Sequence, residues 1–209
     1  IKTISGTVRL DYASIAWEKA FPAPWFKGND FPVPQLVGAI PNQNRHADGQ
    51  ADMVIIIPSS RKLKAQAERL KAFHEQKDGL RVNIVAADEL YNEFSSGTPD
   101  ANAYRRYMKM LYDRATSGDI PRYLLLFGDC LWDNRMLTSA AKGLDSDDYL
   151  LCYESENSFN AIECFVDDSF FALLDDGEGG ALQTRDLPDI AVGRFPVSTA
   201  NEAKIMVDK

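Results

Sequence analysis

The sequence predicts an α/β fold in which helices flank a parallel sheet, with an extended N-terminal arm and an inserted antiparallel segment. Short apolar runs rich in β-branched residues, such as the run from Asp52 to Pro58, are typical of strands that are covered on both faces. Segments with apolar residues at helical spacing alternate with these runs. A strand, a helix and a second strand in succession form a right-handed crossover between parallel strands.

Residues 1–45 are assigned to the N-terminal arm. Residues 2–12 alternate in polarity as an exposed strand does, and residues 21–36 combine prolines with aromatic side chains, which excludes a helix. A linker from a preceding domain explains the same composition equally well. The expected anchors of an arm on a neighbouring surface are aromatic: Trp25, Phe26 and Phe31.

Residues 46–209 are assigned to the α/β subdomain, which begins with the strand from Asp52 to Pro58. Ser59 or Ser60 is expected to cap the following helix. A second strand, from Arg81 to Ala86, completes the crossover. The helix between the two strands is recognised by its apolar spacing and by its stop signal: Leu63, Ala67, Leu70 and Phe73, then Asp78 and Gly79.

The next helix is expected to begin at Thr98 as its N-cap, with Pro99 in the first turn and Asp100 facing the positive end of the helix dipole. A third strand, from Arg122 to Gly128, follows this helix, and a fourth strand runs from Asp189 to Gly193. The apolar face of the helix is predicted from its periodicity: Tyr104, Tyr107, Met108, Leu111, Tyr112 and Ala115.

The long segment between these two strands is expected to have structure of its own, because connections in α/β units usually have about 2 to 6 residues. Residues 148–154 and 162–176 predict an antiparallel pair or edge strands, and residues 132–147 predict a loop. The last helix starts with a capping box formed by Thr199 and Glu202. Its apolar face is still beginning when the chain stops, so we expect the sequence to be part of a longer protein.

The composition argues against nucleic acid as a partner. The chain has 31 acidic and 23 basic residues, a net charge of -8, and no basic cluster that would bind a phosphate backbone. No apolar run approaches the ~18 residues of a membrane span, and the first residues lack the apolar core of a signal peptide.

Cysteine and histidine usage argues against zinc. The three cysteines form no CxxC pair, and the two histidines, His46 and His74, are far apart in sequence. Cys152 and Cys164 flank a possible hairpin and could pair with each other, but three partly buried thiols are the favoured interpretation.

Polar side chains follow two of the predicted strands. Ligands in open parallel sheets bind beyond the carboxyl ends of the strands, and Asp129 and Arg194 occupy these positions. Asp129 is therefore a candidate metal ligand or catalytic carboxylate. The alternative, which the cost of burying a charge favours, is a structural ion pair of Arg194 with Asp129 or with another carboxylate.

A second acidic group occupies a glycine-containing loop near the fourth strand. Its carboxylates offer the hard oxygen ligands that Ca²⁺ prefers, although the spacing is not that of an EF-hand. A solvated acidic loop without a metal is the alternative. The group comprises Asp175, Asp176 and Glu178, with Asp186 and Asp189 further along the chain.

The well-known catalytic motifs are missing: the sequence contains no GxSxG, HExxH, GxxxxGK[ST] or GxGxxG. A thiol–imidazole dyad at Cys130 is also disfavoured. His46 precedes the first strand, and His74 lies near the end of the first helix, at the sheet edge opposite to Cys130. The sulfur and the imidazole of such a dyad must lie within hydrogen-bonding distance.

Several stretches resemble the front half of the gingipain-type cysteine peptidase domain, and in particular its PorU-type sortase branch in type IX secretion. The resemblance covers roughly Ile40 to Lys209. The matching stretches include RYLLLFGDCLWDNR from Arg122, and the long and specific ones are YNEFSSGTPD from Tyr91 and GRFPV from Gly193.

The resemblance implies a caspase-like catalytic domain built from two α/β subdomains, of which residues 46–209 form the first. Residues 1–45 then resemble the end of a preceding β-rich region. The family's catalytic histidine, in an HG turn, and its cysteine lie further along the chain, so no residue here is assigned a catalytic role. The family reaction is attack of a thiolate on a peptide carbonyl to give an acyl-enzyme, with the histidine carrying the proton.

The resemblance also implies a structural calcium site. Asp129 matches the aspartate of the family's FGD turn, and this turn contributes to a calcium site together with the loop before GRF. The implied ligands are Asp129, Asp175, Asp176 and Asp189. Cys130 departs from the family, which usually has a small residue after FGD, and it is not expected to be the nucleophile.

The implied partners are the second peptidase subdomain, secreted cargo proteins with C-terminal signals, and other components of the secretion system. The implied location is the outer membrane or cell surface of a Gram-negative bacterium, and the implied activity is removal of the cargo signal. Two alternatives remain: a non-catalytic α/β module that recruits Ca²⁺ or a protein partner, and a packing unit that dimerises when isolated.

Overall fold

The computed structural model describes residues 42–155, 162, 164–179 and 186–209. It contains a parallel sheet of four strands in the order β2-β1-β3-β4. Of the arm predicted for residues 1–45, residues 1–41, which include the aromatic anchors, lie outside the described residues. The strands are β1 (Met53–Ile57), β2 (Val82–Ala86), β3 (Tyr123–Phe127) and β4 (Ala191–Phe195).

Four α-helices accompany these strands in the described part of the chain: α1 (Lys64–Lys77), α2 (Ala87–Phe94), α3 (Asn102–Arg114) and α4 (Ala200–Asp208). The α/β class and the parallel sheet predicted from the sequence are confirmed. Every residue of β1 is buried because β1 is a central strand with helices on both faces.

Two helix starts differ from the prediction. α1 begins after Leu63 rather than at a serine cap, because Arg61 adopts a left-handed conformation (φ 58°) and its N–H bonds the Pro58 carbonyl in a turn of its own. α3 begins at Asn102 rather than next to Thr98, and the Asp100 carboxylate accepts a bond from the Asn102 N–H at 2.9 Å. A short polar side chain that bonds nearby backbone competes with helix formation in this way.

The sequence did not predict α2. It follows β2 without a loop, and its first turn is closed by the Glu89 carboxylate, which accepts a bond from the Ala86 N–H at 3.2 Å. Ala86 has no capping side chain, which is why the usual start signal was missing. The capping box of α4 is confirmed: the Glu202 N–H bonds the Thr199 hydroxyl at 3.2 Å, and the Thr199 N–H bonds the Glu202 carboxylate at 3.0 Å.

The strand predicted from Asp189 to Gly193 is shifted by two residues, so Arg194 lies within β4 and not beyond it. In the segment between β3 and β4 the expected antiparallel pairing is limited, among the described residues, to one bridge between Glu154 and Val166. Cys130 and Leu150 form one parallel bridge in the same segment. Its short 3₁₀ helices are Ser139–Ala141, Ser146–Asp148 and Ser169–Ala172.

The two faces of the sheet have separate cores. The first face is covered by α2, α3 and the 3₁₀ helix Ser169–Ala172. These elements pack on strand residues of one face: Val54, Ile56, Leu124 and Leu126. The second face is covered by α1 and α4, which pack on the alternate residues of the same strands: Met53, Ile55, Leu125 and Phe127. Within the described residues, no helix is both long and apolar enough to cross a membrane.

Candidate functional site

The turn that follows β3 lies at the carboxyl edge of the sheet, and Gly128 allows the chain to pass there. A Cβ atom on Gly128 would lie 2.8 Å from Cγ of Pro58 and 3.1 Å from Cγ of Leu150. The backbone of Asp129 then bonds both neighbouring segments, with its N–H to the Val197 carbonyl at 3.0 Å and its carbonyl to the Leu150 N–H at 2.9 Å. The carboxyl edge is therefore a tightly connected region.

Arg194 organises this edge from within β4. Its guanidinium makes two bonds to the Asp168 carboxylate, at 2.7 and 2.8 Å, and donates to the carbonyls of Gly128 and Leu151 at 3.1 and 3.3 Å. Burial works against its charge, but Asp168 compensates, so the pKa of Arg194 is raised. The sequence favoured a structural ion pair for Arg194, and the structure identifies Asp168 as the partner.

Neither histidine contacts Cys130. His46 lies 2.8 Å from the Glu93 carboxylate, and His74 lies 2.7 Å from the Asp78 carboxylate. Cys130 instead lies next to Leu131, whose carbonyl accepts a bond from the Cys152 thiol at 3.3 Å. The described residues therefore contain no thiol–imidazole pair, and Cys130, Cys152 and Cys164 are all free thiols.

The acidic residues meet at the opposite edge of the sheet, before β4. Oxygen atoms of Asp175, Glu178 and Asp189 all lie within 4.8 Å of one another. The Tyr112 hydroxyl bonds Asp175 at 2.9 Å and Asp189 at 3.2 Å, and the Asp175 hydrogen bond is the main reason why the pKa of Tyr112 is raised. Backbone N–H groups also bond the cluster, including that of Leu174 to Asp189 at 2.7 Å.

Only two of the four residues expected to bind calcium belong to this cluster. Asp129 follows the end of β3, whereas Asp189 precedes the start of β4, and the two strands are parallel. A strand of five residues spans about 16 Å, so the two carboxylates lie at opposite edges of the sheet. The side chain of Asp176 is 97% exposed and pairs with Lys109 at 2.9 Å.

The sequence reasoning missed Tyr112 and Asp168 as members of these two networks. Tyr112 was expected on the apolar face of its helix. Its hydroxyl nevertheless donates to the acidic cluster, at Asp175 and Asp189. Nothing in the pattern around Asp168 marks it as the partner of Arg194, because the long connection between the two residues conceals their proximity. Glu178 was recognised as part of the acidic loop but was not assigned as a ligand.

A cleft opens at the carboxyl edge, where ligands of parallel sheets bind. Its walls combine apolar and polar side chains, among them Tyr91, Leu131, Asn134, Asp147 and Tyr149. Asn134 is fixed by a reciprocal pair of bonds to the backbone of Cys152, at 2.9 and 3.0 Å. The edge thus offers a surface held by side-chain to backbone bonds, without a complete catalytic pair.

Comparisons with known proteins give a family for this chain and a solved structure with a similar fold. The model of peptidase family C25 matches residues 46–209. A crystal structure of dimeric latent PorU from Porphyromonas gingivalis is 38% identical to this chain, with a TM-score of 0.71. The match covers 84% of this chain and 17% of the PorU chain, so the present sequence spans a small part of that relative. A search of curated proteins found no match.

Proposed function

This chain belongs to peptidase family C25, and from that membership we propose that residues 46–209 form the first α/β subdomain of a cysteine peptidase of the sortase type. The observation that carries the proposal is the match to PorU, which extends over 84% of this chain at 38% identity. We propose that residues 1–45 are the end of a preceding region.

We propose that the catalytic cysteine and histidine lie in residues beyond this chain. Two facts support this. The PorU chain is several times longer than the matched region. Both histidines here are held by carboxylates, at 2.7 and 2.8 Å, away from Cys130. In the complete enzyme a thiolate would attack the peptide carbonyl and form an acyl-enzyme, which water or an amine then resolves.

We further propose that the complete enzyme removes C-terminal secretion signals from type IX cargo, at the outer membrane or cell surface. The relative with the solved structure supports this proposal through its identity as PorU. Cargo proteins and other components of the secretion system would then be the partners of the whole protein.

Peptide hydrolysis by the purified chain tests the proposal. We expect no cleavage of a cargo signal peptide by this chain, and normal cleavage by the full-length protein, with or without Cys130→Ala. Loss of cleavage in full-length Cys130→Ala, with the fold and the thermal midpoint retained, would assign the nucleophile to this chain and overturn the proposal.

The second subdomain is the proposed partner of this chain within the complete enzyme. On the second face of the sheet, a groove beside Tyr123, Ala191 and Gly193 exposes apolar surface at the start of β3 and β4. Tyr123 is 40% exposed there, and contiguous exposed apolar surface promotes association. We expect light scattering to detect self-association of the isolated chain, and a clean monomer at high concentration would count against this partner.

Calcium is proposed to bind the acidic cluster. The cluster offers only oxygen ligands, which suits a hard cation, although Ca²⁺ needs about 6 to 8 oxygens and further ones must come from carbonyl groups or water. Its carboxylates are also satisfied by N–H and hydroxyl donors, so the cluster can exist without a metal. The same site would serve the alternative function of a calcium-recruiting binding module.

Thermal unfolding with calcium or with a chelator tests this site. Calcium in about 100-fold excess over its dissociation constant should stabilise the chain by about 2.7 kcal/mol. The effect should be lost in Asp189→Asn and retained in the matched control Asp176→Asn, because Asp176 is exposed and outside the cluster. No heat on calorimetric titration, with a midpoint unchanged by the chelator, would exclude calcium.

A further inference from the structure

Two thiols meet at the carboxyl edge of the sheet. Cys130 forms a parallel bridge with Leu150, and the backbone bond from Leu150 to Asp129, at 2.9 Å, holds the two segments in register. Cys152 lies two residues further on and donates its Sγ proton to the Leu131 carbonyl at 3.3 Å. The Cys152 thiol therefore lies against the backbone of the residue that follows Cys130, and Cys130 pairs with a residue two positions before Cys152.

The two thiols differ in exposure and in acidity. Cys130 is partly exposed, whereas Cys152 is buried, with 2% of the residue exposed. The neighbouring Cys152 thiol, with a contribution from the Arg194 charge, lowers the pKa of Cys130, and the neighbouring Cys130 together with burial raises the pKa of Cys152. A reachable, acidic thiol beside a buried second thiol is the arrangement in which one thiol attacks and the other resolves.

We propose that Cys130 and Cys152 are a reversible dithiol–disulfide site, which closes by exchange with a small-molecule disulfide or with the active-site disulfide of an oxidoreductase. The proposal does not depend on peptidase activity in this chain. Cys164, which is exposed, is not assigned to this site.

The exchange proceeds in two steps that balance. The Cys130 thiolate attacks one sulfur of the disulfide, RSSR, so that a mixed disulfide forms and the first RS⁻ leaves. The Cys152 thiol then loses its proton and attacks Sγ of Cys130, and the second RS⁻ leaves. The products are the Cys130–Cys152 disulfide and two RSH molecules: the protein is oxidised by two electrons, and the reagent is reduced by two.

The disulfide would join the two segments that Arg194 already connects through hydrogen bonds. Arg194 bonds the carbonyls of Gly128 and Leu151, which lie close to the two cysteines in the two segments. A disulfide here would close the loop that contains the Trp132–Asp147 region and restrict its unfolded ensemble. Oxidation would therefore rigidify one wall of the carboxyl-edge cleft.

Glutathione redox buffers test the site in the full chain carrying Cys164→Ser, which removes the third thiol. We expect peptide mapping by mass spectrometry without reduction to find the fragments with Cys130 and Cys152 joined, with two hydrogens lost. Closure should need about tenfold less oxidised glutathione than mixed-disulfide formation in the matched Cys152→Ser variant, because the second thiol is held at high effective concentration. The thermal midpoint of the oxidised chain should rise by roughly 5–10 °C.

Two results would overturn the proposal. One is a folded chain in which both thiols remain fully alkylatable after oxidation, while the urea-unfolded chain forms the disulfide. The other is a wild-type chain whose disulfides run mainly through Cys164.

Discussion

The two faces of the sheet are covered to different extents by the elements that pack on them. On the first face, α2, α3 and the 3₁₀ helix Ser169–Ala172 enclose a continuous aromatic and aliphatic core, in which Tyr104 and Phe171 are fully buried. On the second face, α1 and α4 enclose a smaller core, and the start of β3 and β4 stays open beside Tyr123. The same strands supply both faces, so the covering elements make the difference.

This difference shows how a five-residue strand can be buried on one side and open on the other. Side chains of a strand alternate between the two faces, so each face depends on what packs against it. The first face is completed by a segment inserted between β3 and β4. Among the residues that the structure describes, two helices cover the second face, and this agrees with the proposed docking of a further subdomain there.

The largest expected effect tests whether the first face bears most of the packing. Phe171→Ala removes a fully buried ring that lies 5.6 Å from the Tyr104 ring, and it should destabilise the chain by about 3–5 kcal/mol. The matched change on the second face is Phe127→Ala, which removes another fully buried ring but from the smaller core, and it should cost less than Phe171→Ala. Urea unfolding measures both, and equal losses would abolish the contrast between the faces.

The second prediction concerns the charge that closes the first face at β4. Arg194→Ala leaves Asp168 and two carbonyl groups without their donor, in a place where the arginine side chain is only 9% exposed. Breaking a buried pair by removing one partner costs about 3 kcal/mol. Arg122→Ala, at an exposed ion pair with Asp52, is the control and should cost about 0.5 kcal/mol. A small loss in Arg194→Ala would mean that solvent replaces the guanidinium.

A smaller effect is expected for the hydroxyl in the first core. Tyr104→Phe removes the 2.5 Å contact with the Tyr91 hydroxyl and the bond from the Leu151 N–H at 3.2 Å. Leaving a buried N–H unsatisfied should cost about 1–2 kcal/mol. Tyr123→Phe, on the open second face, should be neutral. Thermal unfolding of both variants measures the difference, and a neutral Tyr104→Phe would show that water reaches this core.

The smallest effect concerns the segment before β1, which is tied to the outer side of α2. Partial burial opposes its charge, but bonds from the Arg45 N–H, the Gln43 amide and His46 lower the pKa of Glu93 to about 2. Because this folded-state pKa lies below the unfolded value of 4.5, the contribution is present above pH 4.5 and is lost as the pH falls toward 2.

Glu93→Gln should therefore cost about 1 kcal/mol at pH 7, and the gap to the wild type should narrow between pH 4.5 and 2. Urea unfolding across this pH range measures it. Glu68→Gln, at an exposed helical pair, is the control with no expected change in the gap. If the difference in unfolding free energy between wild type and Glu93→Gln stays constant with pH, the stability loss comes from altered packing and not from the lost charge.

Most of the sheet could be predicted because its signals are local. The apolar run of β1, the stop at Gly79 and the capping box at Thr199 each depend on neighbouring residues, and all three are confirmed. α2 could not be predicted in the same way, because Glu89 closes it from within the helix and no capping side chain precedes it. The shift of β4 by two residues has a similar origin, since the pairing with β3 sets the register.

The site was less predictable than the fold. The sequence indicated Asp175 and Asp189 as neighbours in a cluster, but grouped them with Asp129, which lies across the sheet. Strand direction separates these carboxylates, and that direction is a property of the whole sheet. The contact of the Cys152 thiol with the Leu131 carbonyl, next to Cys130, joins positions on different segments and had no local signal, as is also true of the Arg194 to Asp168 pair.

The sequence by itself determined the α/β class, the order of the strands along the chain, the family resemblance and the absence of a complete set of catalytic motifs. These follow from periodicity, punctuation and short motifs, which act over a few residues. Only the tertiary structure decided which carboxylates meet, which thiols are neighbours, and which face of the sheet remains open. These depend on strand order and register, through which residues far apart in sequence come within a few ångströms of one another.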